Sequence, residues 1–205
     1  MKLLSNTTSP FVRIARVALS EKGFQPELVA VDPWDDSDAR LRQHNLASRV
    51  PSLVLDDGAS INESLVIAQW AEARGHGPSL LGEGAQIDGV MARTGLAFSA
   101  IDASVITLIS RKTSQPTPFD ETAIGTRRRR TMVDAMQSLD AYFAQVDIEA
   151  LAAQSPTLDV ICTVTMHDYL HFRFGSLDWM PATPALAALS EGMRARPSIA
   201  QTVPH

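Results

Sequence analysis

The 205-residue sequence predicts an α/β domain followed by an all-α domain, and three observations indicate this division. Strand and helix patterns follow the order β-α-β-α-β-β-α over residues 1–74. The densest Gly/Pro stretch of the chain, residues 75–84, then interrupts the pattern. Beyond it, strand signals vanish and apolar residues recur at helical spacing. We therefore predict a first domain over residues 1–76, a linker over 77–84 and a helical second domain over 85–205.

The first strand and helix are marked by their boundaries. Residues 2–5 are typical of a short strand, and polar turn residues follow them. Ser9-Pro10 has the form of an N-cap followed by proline at the first helical position. The helix carries one apolar stripe and is expected to end at Gly23, a residue suited to the left-handed conformation.

The remaining elements of the first domain complete a small α/β layer. We predict a strand within residues 25–31 and an acidic loop with a weak helix over 32–43. Two short strands, 52–55 and 60–61, are joined by Asp-Asp-Gly, a strong hairpin signal. A helix over 63–74 follows. The β-α-β start predicts a parallel strand pair, to which the hairpin adds antiparallel edges.

The second domain is predicted to contain four main helices. Helical spacing marks Phe98 to Leu108 and Met132 to Phe143, with an irregular connection over residues 110–125. The segment from Leu158 to Phe172 is apolar on nearly every face, which indicates a central buried helix. We expect the last helix over residues 184–193, stopped by a proline.

Composition narrows the class of protein. The net charge of −5 argues against a general nucleic-acid binder, and the arginines at 127–130 are interpreted as a solvated helix face. A single cysteine, Cys162, rules out an internal disulfide and is typical of a reducing compartment. We expect no signal peptide and no stretch that could span a bilayer, hence a cytoplasmic protein.

His167 and His171 have metal-ligand spacing, but no partner motif follows, so no metal is predicted.

Two segments predict a binding site for a small peptide. Val50-Pro51 precedes a strand, and Glu63-Ser64 opens a helix shortly afterwards. Together they can present an extended peptide edge beside a site that captures an amino-acid head group. Taken alone, Val50-Pro51 is explained as the entry to a strand and Glu63-Ser64 as the start of a helix. Ser9 alone is likewise explained as the N-cap of the first helix. Their joint order favours the binding site.

The sequence resembles the glutathione transferases over essentially its whole length. The resemblance is carried by the segments 9–13 (SPFVR), 49–58 (RVPSLVLDDG), 62–68 (NESLVIA) and 184–198. It implies a thioredoxin-like first domain, a helical-bundle second domain and a homodimer. Glutathione would be the co-substrate, and the function would be transfer of its thiolate to a small, mostly apolar electrophile in detoxification.

The resemblance also implies roles for particular residues. A cis Val50-Pro51 bond would direct the Val50 main chain toward the cysteinyl part of glutathione. Glu63 and Ser64 would hold the γ-glutamyl group, and Arg49 would lie near the glycyl carboxylate. Phe11 is included among the residues of the glutathione site.

Activation of the thiol is expected from the loop before the first helix. Many relatives use a tyrosine there, but this chain has only Tyr142 and Tyr169, both in the helical domain. Ser9 occupies the position where some relatives have cysteine, so we favour its hydroxyl, with Thr7 second.

Two alternative functions remain open at this point. One is a non-catalytic scaffold or regulatory protein with the same fold. The other is a glutathione-dependent isomerase, which ranks lower because such relatives carry Ser-Ser-Cys where this chain has Thr7-Thr8-Ser9.

Overall fold

The computed structural model of the protein describes residues 1–32, 38–112 and 117–204. In chain order its strands and helices are β1 (Lys2–Ser5), α1 (Pro10–Glu21), β2 (Glu27–Ala30), α2 (Asp38–Arg42), β3 (Ser52–Val54), β4 (Ser60–Asn62), α3 (Ser64–Arg74), α4 (Gln86–Arg111), α5 (Ala123–Phe143), α6 (Ile148–Ala152), α7 (Leu158–Phe174), α8 (Pro184–Met193) and α9 (Pro197–Ala200). A 3-10 turn at Phe119–Glu121 precedes α5.

The chain forms two compact units that divide after Leu80. The first contains residues 1–80 and the C-terminal segment that begins at Pro197, and the second contains residues 81–196. The helical domain that we predict over residues 85–205 includes this C-terminal segment. In the structure this segment packs on α1 of the first unit, because it buries Ile199 and because Arg13 Nε donates to Thr202 Oγ1 at 3.3 Å.

The first unit is built on a four-stranded mixed sheet in the order β2-β1-β3-β4. Strand β1 is parallel to β2 and antiparallel to β3, and β3 is antiparallel to β4. The predicted parallel pair and the predicted hairpin are therefore confirmed. Together with its helices, this sheet confirms the expected thioredoxin-like fold.

The two faces of the sheet are buried against different helices. Because successive side chains of a strand point to opposite faces, Leu3 and Leu4 of β1 enter different clusters. Leu3 packs with residues of α1 and α3, among them Leu19 and Ile67. Leu4 packs on the other face with Leu41 of α2. The sheet is thus the middle of three layers, and its register is fixed by the burial of both faces.

The second unit is helical and organised around α7. Every residue from Leu158 to Leu170 is buried, which confirms the central buried helix, and α7 packs against α4 and α8. Arg93 of α4 donates to Asp159 Oδ2 at 2.7 Å, so that the buried carboxylate at the start of α7 has a cationic partner. This pair fixes α4 against α7 at that end.

Two short helices were not predicted. Helix α6 has five residues, too few to show a helical period, and is marked only by the Asp147 side chain that accepts from the Ala150 N–H at 3.0 Å. Pro197 was expected only to stop α8, but it also begins α9. This is consistent with the tolerance of proline in the first helical turn. The irregular connection predicted over residues 110–125 includes 113–116, which lie outside the described residues.

Helix α4 is long and apolar enough to cross a membrane by length and composition alone, and it is the one such helix in the described parts of the chain. The expectation that no stretch meets this criterion was therefore wrong. In the structure α4 packs against α5 and α7, as a core helix of a helical bundle does.

Candidate functional site

Three loops leave the same edge of the sheet in the first unit. Leu4 of β1 pairs with Ser52 of β3, and Ser52 pairs with Asn62 of β4. The end of β1, the start of β3 and the end of β4 therefore lie side by side. The segments that emerge there are residues 6–9, 50–51 and 63–64. The register of the sheet thus brings together the three segments in which the sequence placed its candidate residues.

The Val50-Pro51 peptide bond is cis. Within the described residues, neither the N–H nor the C=O of Val50 has a protein hydrogen-bond partner. Val50 is half-buried, whereas the neighbouring Arg49 side chain is exposed. A main chain with unpaired polar groups beside a sheet edge can pair with an extended peptide.

Asn45, which is not among the predicted site residues, fixes the loop before this bond. Its side chain is buried, donates to the Arg49 carbonyl at 2.9 Å and accepts from the Ala47 N–H at 3.0 Å. The signal available in the sequence was the tendency of asparagine to bond nearby backbone groups in turns. Asn45 is therefore a positioning residue for Arg49 and Val50.

Asn62 performs a similar task at the end of β4. The Ser52 hydroxyl donates to Asn62 Oδ1 at 2.5 Å, and Asn62 Nδ2 donates to the His44 carbonyl at 3.2 Å. These bonds connect the hairpin to the loop that precedes Val50. The side chain of Asn62 therefore helps to fix the spacing between the two loops.

The start of α3 has two unusual features. Glu63 precedes the helix with φ of +70°, a conformation that L-residues rarely adopt, and its side chain makes no capping hydrogen bond. Ser64, the first helical residue, is 1% exposed, and its Oγ has no hydrogen-bond partner among the described residues. A buried hydroxyl without a partner costs free energy unless something else satisfies it.

The electrostatics at the start of α3 favour an anion. The first N–H groups of a helix have no intrahelical partner and carry partial positive charge. With the Ser64 hydroxyl they form a set of donors suited to a carboxylate. Glu63 is exposed beside this helix end and can accept from a cation. A group with both charges, such as an amino-acid head group, matches this arrangement.

The loop at residues 6–9 supplies three hydroxyl groups. Ser9 is the N-cap of α1, and its Oγ accepts from the Val12 N–H at 3.3 Å. Its hydroxyl proton therefore stays available to a ligand. The Thr8 hydroxyl donates to Asn6 Oδ1 at 3.0 Å, whereas Thr7 is exposed. Of the predicted residues, Ser9 and Thr7 thus lie in one loop, and the half-buried Phe11 follows in the first turn of α1.

Comparisons with known proteins show which family the chain belongs to. Residues 8–74 match the family described as glutathione S-transferase, N-terminal domain. A glutathione S-transferase from Methylobacterium radiotolerans JCM 2831, solved in complex with glutathione sulfonate, is 32% identical with a TM-score of 0.86. The match covers 100% of this chain and 94% of that chain. The chain belongs to the glutathione S-transferase family.

Other relatives match this family member over nearly their whole length. A glutathione S-transferase from Methylobacillus flagellatus KT, solved with glutathione bound, is 26% identical with a TM-score of 0.85 and coverages of 100% of this chain and 99% of that chain. The uncharacterized GST-like protein YibF of Escherichia coli (strain K12) is 28% identical over 100% of this chain and 98% of its own length. The resemblance stated from the sequence is therefore confirmed.

Other reactive groups of this glutathione S-transferase family member lie in the second unit. Cys162 is fully buried in α7, and burial raises the pKa of its thiol, which makes it a poor nucleophile. The ring centroids of His167 and His171 lie 4.4 Å apart. The pKa of His171 is lowered, mainly by burial and to a smaller extent by the charge of the nearby His167. Over the described ranges, no group of three or more metal-ligating side chains is arranged to hold a metal ion.

Proposed function

We propose that the protein binds glutathione at this edge of the sheet and transfers its thiolate to a small, mostly apolar electrophile. The observation that carries the proposal is the buried Ser64 hydroxyl, which lacks a hydrogen-bond partner among the described residues and lies at the start of a helix. A ligand carboxylate would satisfy it. The relatives solved with glutathione or glutathione sulfonate bound support the same ligand.

Each part of the tripeptide has a proposed partner in this chain. The γ-glutamyl carboxylate accepts from the Ser64 hydroxyl and the first N–H groups of α3, and its ammonium donates to Glu63. The cysteinyl main chain pairs with Val50 beside the cis Val50-Pro51 bond. Arg49 lies near the glycyl carboxylate. Phe11, in the first turn of α1, contributes apolar contact.

Ser9 is the proposed activator of the thiol, with Thr7 as the second candidate. A free thiol has a pKa of about 8.5, so only a small fraction is thiolate at neutral pH. The Ser9 hydroxyl can donate to the sulfur while its oxygen still accepts from Val12. Together with the positive end of α1, it would lower the pKa by about two units, or about 2.7 kcal/mol.

The proposed reaction needs no further co-reactant. The thiol proton leaves to solvent, and the thiolate electron pair forms a sulfur–carbon bond with the electrophilic carbon. In a substitution the leaving group departs with its bonding electrons. In an addition to an activated double bond, the neighbouring carbon takes a proton from solvent. The proposal includes the homodimer and the cytoplasmic location expected from the sequence, together with a role in detoxification.

The test combines calorimetry with a conjugation assay. We expect glutathione to bind the wild type with measurable heat and Ser64→Ala to bind at least about tenfold more weakly, because a charge-assisted hydrogen bond is lost. Ser138→Ala, an exposed serine on α5, is the matched control and should bind as the wild type does. Turnover of 1-chloro-2,4-dinitrobenzene then separates enzyme from scaffold. Binding without turnover of any electrophile would favour the scaffold, and absence of saturable binding would overturn the proposal.

A further inference from the structure

A second concave site lies in the first unit, at the other end of α1 from Ser9. It has a volume of about 280 Å³ and is formed by the second half of α1, the segment that enters β2, and α9. Arg16 and Ser20 contribute from α1, and Ser198, Gln201 and Thr202 from the C-terminal segment. A helix rises about 1.5 Å per residue, which puts Arg16 roughly 10 Å along α1 from Ser9.

The site has one strong chemical feature, the guanidinium of Arg16. Arg16 is half-buried, and its guanidinium makes no hydrogen bond or ion pair with any other described residue. Burial lowers the pKa of this guanidinium, which means that the cation is partly desolvated without a compensating acid. Among the residues that the structure describes, no aspartate or glutamate lines the cavity. A partly desolvated cation of this kind gains from an anion that can reach it.

Part of the lining of the site is apolar. Phe24, Pro26 and Leu28 line it, and Leu28 is 48% exposed although it is a large aliphatic residue. The Phe24 ring packs against the Trp70 ring in a tilted arrangement with a centroid distance of 4.8 Å, which holds Phe24 in place. A site lined by both apolar residues and the Arg16 cation matches a ligand with an apolar body and one acidic group.

The polar wall is also fixed before any ligand binds. Arg13 Nε donates to Thr202 Oγ1 at 3.3 Å, and the Ser198 hydroxyl donates to Glu21 Oε1 at 2.5 Å. These bonds hold the C-terminal segment on α1. Because the walls are already ordered, little conformational entropy is lost when the cavity is filled.

We propose that this cavity is a second binding site, separate from the glutathione site, and that it takes a small aryl carboxylate. The carboxylate pairs with Arg16 and accepts from the neighbouring hydroxyl and amide groups, while the ring packs on Phe24 and Leu28. The volume lies just below the range of about 300–1,000 Å³ that is common for ligand cavities, which restricts the ligand to a single ring.

The test uses phenylacetate as the probe and phenylacetamide as its neutral, equally shaped control. Both are titrated by NMR into the isotope-labelled full-length protein saturated with S-methylglutathione. We expect phenylacetate to shift the amide signals of Ser20, Gln25 and Gln201 in a saturable manner. Phenylacetamide should bind at least about tenfold more weakly, since the charged hydrogen bonds are lost. Shifts confined to Ser9 and Ser64, or equal binding of both probes, would overturn the proposal.

Variants identify the residue responsible. Arg16→Gln should weaken phenylacetate binding by about tenfold or more, whereas Arg42→Gln, at an exposed arginine outside the cavity, should leave it unchanged. Ser20→Asp gives a second route, because its carboxylate would pair with Arg16 one helical turn away and repel the ligand. Both variants should keep the wild-type affinity for glutathione. Undiminished phenylacetate binding in either folded variant, or no binding by the wild type at concentrations on the order of 10 mM, would contradict the assignment.

Discussion

Ser52 and Asn62 face each other across the β3–β4 hairpin, and the Ser52 hydroxyl donates to Asn62 Oδ1 at 2.5 Å. Ser52 is completely buried, so its hydroxyl depends on this partner. Asn62 also donates to the His44 carbonyl at 3.2 Å. The Asn62 side chain therefore connects the end of β4, directly before Glu63, to β3 and to the loop before Val50.

We predict that Asn62→Leu lowers the free energy of unfolding by about 1–3 kcal/mol, because the buried Ser52 hydroxyl loses its partner. Glutathione affinity should fall as well, since the two proposed binding loops are no longer held together. Urea unfolding and calorimetry measure the two effects. The double variant Ser52→Ala/Asn62→Leu should recover part of the stability and none of the affinity. A folded Asn62→Leu variant with wild-type affinity would show that this side chain has no positioning role.

For the thiol, we predict that Ser9→Ala reduces turnover by about one to two orders of magnitude, or 1.4–2.7 kcal/mol, with little change in glutathione affinity. It should also cost about 1 kcal/mol of stability, because Ser9 caps α1. Ser9→Gly separates the effects, since glycine is a better cap than alanine but has no hydroxyl. The ultraviolet absorbance of bound thiolate, followed against pH, reports the activation. The assignment fails if Ser9→Ala keeps full rate while Thr7→Ala loses it.

Substitutions of Glu63 test whether its strained backbone is kept because the side chain binds glutathione. The Glu63 backbone has a φ of +70°, a conformation that glycine adopts readily. Glu63→Gly should therefore raise the free energy of unfolding by about 0.5–1 kcal/mol. The same change should weaken glutathione binding, since the proposed acceptor for the ammonium is lost. Glu63→Gln is the matched control: it keeps the strained backbone and removes only the charge. If both variants bind glutathione as the wild type does, Glu63 is not part of the site.

The pH dependence of stability should contain a contribution from Glu72. Burial raises the pKa of this carboxyl, but bonds from the Leu80 N–H, the Ser79 hydroxyl and the Lys22 ammonium outweigh burial, so that the folded pKa lies below the ordinary value. Its contribution is therefore complete above the unfolded pKa of about 4.3 and is lost as the pH falls through the folded pKa. Lys22 Nζ lies 3.1 Å from Glu72 Oε2.

We expect Glu72→Gln to be less stable than the wild type at pH 7 and the difference to shrink below about pH 4.3. Urea unfolding at a series of pH values measures it. Glu191→Gln, which removes an exposed partner of Arg194 on α8, should show almost no difference at any pH. A wild-type advantage over Glu72→Gln that grew on acidification would have the wrong sign for this mechanism.

The elements that the sequence predicted well are those set by local chemistry. Ser9-Pro10 starts α1 because the serine caps it and the proline fits its first turn, and Asp-Asp-Gly turns the hairpin because Gly58 adopts φ of +86°. The alternation of Leu3 and Leu4 follows from the pleat of a strand. Such features need no knowledge of distant residues, so a single sequence is sufficient to predict them.

The features that the sequence did not predict depend on contacts between distant residues. In the sequence, Asn45 and Asn62 cannot be distinguished from other asparagines in turns. Only the structure shows that they donate to the carbonyls of Arg49 and His44. Helix α9 depends on Ile199 finding a place on α1, although Pro197 had suggested only an end. The positive φ of Glu63 is likewise imposed by its surroundings, because glutamate has no local preference for it.

The position of residues 197–204 has a consequence for biosynthesis. Ribosomes add these residues after the whole of the second unit, yet they cover α1 and close one side of the Arg16 cavity. The first unit therefore cannot complete its packing, and part of α1 stays uncovered, until the second unit has been translated. A fragment that ends at Leu80 would contain the Ser64 site but would lack the C-terminal segment that covers α1.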